Sequence, residues 1–200
     1  MKRPINKLMK RLSLYLFLIL FTFQTSSWAD DIRDFQIEGI SLGDSALDFF
    51  SETQIIKGTE DYYDDKTFTT VENNKLDFFK TYDAVDFHYK TGDKDYKIYG
   101  LGGVLYFIRN IEACYSKMDE IIEKLSEVFV NVNFSEKTVT PAPWDENTIK
   151  TDVIFKFESG TVTVACYDYS NEDEKTLMDH LVIELFTNEF RFWRRDKAYK

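Results

Sequence analysis

Apolar and polar positions alternate along this chain in three different rhythms. Residues 12–23 are apolar throughout except Ser13 and Thr22, and five basic residues (Lys2, Arg3, Lys7, Lys10, Arg11) precede them. Residues 82–90 alternate with period two: Val85, Phe87 and Tyr89 on one side, Asp86, His88 and Lys90 on the other. That is the pattern of a half-buried antiparallel strand. Residues 116–130 instead space Met118, Ile121, Ile122, Leu125, Val128 and Phe129 at helical intervals, and Ser116 with Asp119 forms a capping signature.

The remaining elements follow the same logic. Residues 30–38 read as a lead-in or edge strand. Gly43, with Asp44 or Ser45 as cap, opens a short helix bearing Leu47 and Phe50, and Ser51 with Gln54 opens a second one that Gly58 ends. A strand is expected at 68–71, a turn at Asn73-Asn74, and two strands at 96–99 and 104–108 around Gly100-Leu101-Gly102-Gly103. The stretch 131–148 reads as a loop. Val153, Phe155 and Phe157 alternate into a Ser159-Gly160 hairpin turn, and Val162, Val164 and Cys166 alternate out of it. Leu181, Ile183 and Leu185 form the last strand, and Asn188 caps a terminal helix with Phe190 and Trp193 on one face.

Helix then strands, followed by helix then strands, predicts an α+β fold with helices packed on one face of an antiparallel sheet. The segments 39–109 and 111–187 look like degenerate copies of one unit. One sheet and two smaller ones are both compatible with the pattern.

The first rhythm changes the picture most. A basic start, about a dozen apolar residues and Ser27-Trp28-Ala29 before Asp30 make the order of a secretory signal, 1–29, cleaved after Ala29. The apolar run falls short of the ~20 residues a membrane span needs. Asp30, not Cys, follows the cleavage site, which argues against a lipid-modified N-terminus. The chain from residue 30 to 200 is then a single domain in the periplasm or outside the cell, soluble and clear of the membrane.

Composition sharpens this. The formal charge is −10, and setting aside the five basic residues of the signal leaves −15. Such a surface repels phosphate backbones, so nucleic acid is disfavoured as a partner, while basic partner proteins remain compatible. Aromatic residues make up 16% of the chain and only eight glycines occur, which excludes a disordered chain and suits strands with a substantial core.

Cys114 and Cys166 are the only cysteines. In an exported protein an even pair favours a disulfide over two buried thiols. Cys166 shares the parity of Val162 and Val164 and so faces the layer of the long helix, near whose start Cys114 lies. A bridge across 52 residues is worth roughly 4 kcal/mol on the chain-entropy model.

The opening Gly39-Ile40-Ser41-Leu42-Gly43-Asp44-Ser45 resembles that of small secreted bacterial modules, the β-lactamase-inhibitor-protein-like fold and the small lipoproteins of outer-membrane assembly. With Tyr82-Asp83-Ala84-Val85, Cys114, Cys166-Tyr167-Asp168-Tyr169-Ser170 and the aromatic C-terminus through Tyr199, the chain resembles a family of uncharacterised exported proteins from small-genome marine bacteria. The resemblance implies export and a shared fold, and it carries over no catalytic residues.

Catalytic motifs are missing from the sequence. His88 lies on the polar side of its strand, His180 beside Asp179, and neither has histidine neighbours at ligand spacing, so both read as surface residues and no metal or cofactor is expected. The acidic clusters at 61–65, 93–95 and 172–174 lack the spacing of a calcium loop. There is no G-x-S-x-G, no phosphate loop and no C-x-x-C. Two features suit binding. Trp144, held by Pro141 and Pro143, is either a pre-ordered contact or a plug over the core; Trp193 either docks on a partner or closes the sheet. The expected function is a binding or protein-interaction module without catalytic activity, its partner a periplasmic or envelope protein. The alternatives are a small secreted hydrolase using carboxylate or histidine chemistry, and an enzyme-inhibitor-like protein.

Overall fold

The computed structural model describes residues 31–74, 76–142, 145–169 and 178–200. A 3-10 turn at Ile32–Asp34 and another at Ala46–Asp48 lead to helix α1 (Glu52–Lys57). Ser51 and Gln54 complete a reciprocal capping box at its start, and Gly58 ends it, as the side-chain chemistry of those positions requires. Strands β1 (Thr59–Glu60), β2 (Phe68–Asn74), β3 (Ala84–Lys90) and β4 (Ile98–Tyr106) follow. Helix α2 (Ile111–Val128) is capped by the Asn110 side chain, which accepts from the Ala113 amide. Then come β5 (Asn133–Phe134), β6 (Thr138–Ala142), β7 (Asp145–Lys156), β8 (Gly160–Asp168), β9 (His180–Thr187) and helix α3 (Asn188–Asp196).

All the strands belong to one antiparallel sheet, ordered β1-β2-β3-β4-β9-β8-β7-β5, with β6 also on β7. The meanders β2–β4 and β7–β9 meet through their last strands, Leu101 opposite Leu185 and Gly103 opposite Ile183. One sheet therefore carries both halves of the chain.

Strand alternation gives the sheet two unlike faces. Val85, Phe87, Leu101, Leu181, Ile183, Leu185, Val162, Val164, Cys166, Val153 and Phe155 point to one face, and all are buried. Helix α2 packs there through Cys114, Met118 and Leu125, which share its inner side. Cys114 and Cys166 form a disulfide with Cα atoms 6.1 Å apart. A buried Phe or Leu on this face is worth about 1.5–3 kcal/mol.

The terminal helix goes to the other face. Thr187, not Asn188, caps α3 by accepting from the Phe190 amide. Phe190 and Trp193 pack on Phe186 and Phe68, whose parity on their strands is opposite to that of Leu185 and Val71. The expectation of helices on one face thus describes α2 and not α3.

Three local expectations also change. Strand β4 runs straight through Gly100–Gly103 instead of breaking there. Asn73 continues β2, paired with Val85. The expected loop after α2 contains β5 and β6; Pro141 is accommodated in β6 because an edge strand needs no donor on its outer side.

Candidate functional site

On the face opposite α2, register brings charged groups into line. Glu72 of β2 pairs with Asp86 of β3, Asp86 with Gly102 of β4, and Gly102 with Glu184 of β9. Directly opposite residues share a face, so three carboxylates stand in one row across four strands, with a glycine in the middle. Gly102 is where Asp86 rests: a side-chain carbon on Gly102 would collide with its carboxylate. Gly100, one row along, leaves room in the same way for His88 and Phe190.

One end of the row is neutralised from within. Arg194 of α3 places Nη1 3.1 Å from Glu184 Oε1 and its guanidinium 5.0 Å from the Phe186 ring centroid. Burial opposes the charge on Arg194, but Glu184 outweighs it, assisted by Tyr63, Tyr199 and Tyr167, and the guanidinium is held charged. The other end differs. Glu72 accepts from the Tyr62 hydroxyl and from Asn74 Nδ2, and Asp86 stands 3.4 Å from His88 Nε2. No lysine or arginine among the described residues pairs with either carboxylate. The Asp86 side chain retains 23% exposure, so it is reachable from solvent.

His88 departs from the surface position expected of it. It is 5% exposed, stacked on Phe190 with ring centroids 4.4 Å apart, and its Nδ1 lies 3.0 Å from Thr70 Oγ1. Terminal helix α3 covers what alternation alone would leave open.

His180 closes the site at the far end of the face. Its Nδ1 is 3.0 Å from the Met178 carbonyl oxygen. A carbonyl only accepts, so Nδ1 carries the proton and neutral His180 presents Nε2 as an acceptor. The ring stacks on Tyr167 at 5.0 Å, with Tyr169 at 5.8 Å and Tyr106 at 6.4 Å. Burial lowers its pKa, against the raising influence of the Met178 carbonyl and of Glu184, Asp86 and Glu72. Burial and the carboxylates of Glu72, Asp83 and Asp86 push the hydroxyl of Tyr106 upward, Glu72 most among the charges. Imidazole, tyrosine and carboxylates therefore share one electrostatic environment. Among the described residues no three His, Cys, Asp or Glu side chains are disposed to hold one metal ion.

Of the residues singled out in the sequence, Trp144 lies outside the described residues. Trp193 is 6% exposed, edge-on to Tyr63 at 4.9 Å, and its Nε1 donates to Asp65 Oδ1 at 2.8 Å. These are the contacts of a residue that closes the sheet. Burial pushes the Tyr63 hydroxyl beside it up to about 12. Sequence reading missed the row Glu72–Asp86–Glu184 and its pairing with Arg194. The available signal was Gly100 and Gly102, two positions apart, which strip one face of a strand of side chains. No protein-family model, curated protein or solved structure matches this chain.

Proposed function

We propose that this protein is an exported, soluble binding module that engages a basic periplasmic or envelope protein through the sheet face opposite α2. The observation that carries this reading is the carboxylate row Glu72–Asp86–Glu184, set on a face that the main core does not use. Buried or half-buried charge costs stability unless it is paired, and of these three carboxylates only Glu184 has an arginine or lysine partner among the described residues. The overall acidity of the chain supports a basic partner over nucleic acid or an anionic membrane surface.

Export rests on the signal-like segment 1–29, with cleavage after Ala29. The Cys114–Cys166 bridge is compatible with an oxidising compartment, and no helix among the described residues is long and apolar enough to cross a membrane. We read the two meanders, each preceded by helical structure, as degenerate copies of one helix-then-strands unit. Trp193 supports the face by anchoring α3, and Trp144 remains a candidate contact.

The test is capture from an envelope extract with the purified protein as bait, alongside Glu72→Lys and Glu123→Lys. The reading expects one component that is lost at high salt and lost with Glu72→Lys, and retained with Glu123→Lys on α2. Capture indifferent to Glu72→Lys contradicts it.

The fixed tautomer of His180 favours a second reading, a small hydrolase with His180 as general base. Turnover in ester, glycoside or phosphate panels, abolished by His180→Gln, would establish that reading.

A further inference from the structure

We propose that the open end of the row is a recognition site for an organic cation, a guanidinium or a protonated amine, seated over Val104 between Asp86, Glu72, Tyr106 and His180. This rests on the binding reading above and names the chemical group that the face recognises.

Three observations carry it. The first is an internal precedent. In this same row Arg194 already sets a guanidinium against a carboxylate, Glu184, with an aromatic ring, Phe186, beneath it. The open end repeats those ingredients: the Asp86 and Glu72 carboxylates, and the Tyr106 ring two positions beyond Val104 on the same face of β4. Carboxylate plus aromatic face is the combination that holds guanidinium and ammonium groups.

The second is His180. Its Nδ1 is committed to Met178, and no other hydrogen bond reaches the ring among the described residues. Nε2 is left as a neutral acceptor in the field of Glu184, Asp86 and Glu72. An N–H of a cation can donate to it. Tyr167 and Tyr169 on one side and Tyr106 on the other hold the ring in place.

The third is spacing. Adjacent strands lie about 4.8 Å apart, so the two carboxylates at the open end, Glu72 on β2 and Asp86 on β3, stand side by side. Two side-by-side carboxylates suit a planar, multiply donating group, and among the described residues no three ligating side chains are disposed to hold one metal ion.

The test follows the His180 ring protons by NMR at low ionic strength while the protein is titrated with three probes. These are Nα-acetyl-arginine amide, 1,4-diaminobutane, and the neutral isostere Nα-acetyl-citrulline amide. The proposal expects saturable shifts at His180 and Tyr106 with the cations and at least tenfold weaker binding of citrulline. It expects a similar loss in Glu72→Gln, which leaves the Asp86–Gly102 packing intact. A basic nonapeptide with one central arginine separates the sources: tighter binding than the free amide assigns a protein side chain, equal binding a small metabolite. Citrulline binding as well as arginine, or no shift at His180 with any probe, overturns the proposal. If the probes fail while a captured partner still protects this face, the inference falls and the binding reading stands. If the partner protects the α2 side, the binding reading falls with it.

Discussion

Arg194 reaches 3.1 Å from Glu184 and thereby fastens the terminal helix to the sheet face that carries the acidic row. Both side chains are mostly shielded, at 23% and 15% exposure. Removing one member leaves the other charge without its counter-charge, so Arg194→Met should cost about 2–3 kcal/mol, discounted for the remaining solvent access. The double variant Arg194→Met/Glu184→Gln should recover at least half of that loss. Urea midpoints of the four-member cycle measure the coupling; strict additivity would show that the pair contributes nothing.

Gly102 makes a second prediction. Asp86 occupies the space of the missing side chain, so Gly102→Ala should destabilise by about 1–3 kcal/mol through overpacking and should displace Asp86. Asp86→Ala combined with Gly102→Ala should then be more stable than Gly102→Ala alone. The comparison is made by thermal unfolding, and a harmless Gly102→Ala would contradict the packing described.

Strand alternation, the capping box at Ser51 and Gln54, the buried side of α2 and the Cys114–Cys166 pairing were legible in the sequence because each is a local pattern or a matter of parity. The acidic row was not. It exists only once β4 and β9 meet, and a register between strands about 80 residues apart has no local signature. His88 was misplaced for the same reason: parity located its face, but only the return of α3 shows that the face is covered there. The straight passage of β4 through four residues with three glycines was hidden because glycine ordinarily marks a break, whereas Gly100 and Gly102 here admit neighbouring side chains.

Glu38 supplies a third prediction. Its carboxylate accepts the backbone N–H groups of Lys80, Thr81 and Tyr82 at 2.9, 2.6 and 2.9 Å. Burial opposes the charge, and these amides outweigh it and lower the pKa. Glu38→Ala should cost about 2 kcal/mol by leaving charge-assisted bonds unmade. A depressed carboxylate contributes stability above its unfolded pKa and loses it in more acid solution. The variant should therefore lose less stability than the parent as pH falls below about 4.5. Equilibrium unfolding at pH 6 and pH 3 checks both parts.

His180 titrates in a different window. Burial lowers its pKa below the usual 6.5, so the unfolded chain binds the proton at a pH where the folded chain does not. Stability should fall as pH drops from about 7 towards the folded pKa, and His180→Gln should flatten that segment of the curve. Facing the ring are Tyr106, Tyr167, Tyr169, Glu184, Asp86 and Glu72; the carboxylates limit the shift without reversing it. Denaturant midpoints from pH 7.5 to 5 measure the slope, and equal slopes for parent and variant would refute it.

The Cys114–Cys166 bridge should contribute roughly 4 kcal/mol on the chain-entropy model. Replacing both cysteines with serine should lower the urea midpoint accordingly and leave the acidic row in place, since Cys166 faces the opposite side of the sheet.

The most direct test of the account is site-specific photo-crosslinking in the producing cell. One probe replaces Asn74, exposed on the edge of the acidic face, and another replaces Lys124 on the outer side of α2. The account predicts one basic partner crosslinked from position 74 and lost with Glu72→Lys, and none from position 124. A partner crosslinked from position 124 alone would place the functional surface on the wrong side of the sheet and contradict it.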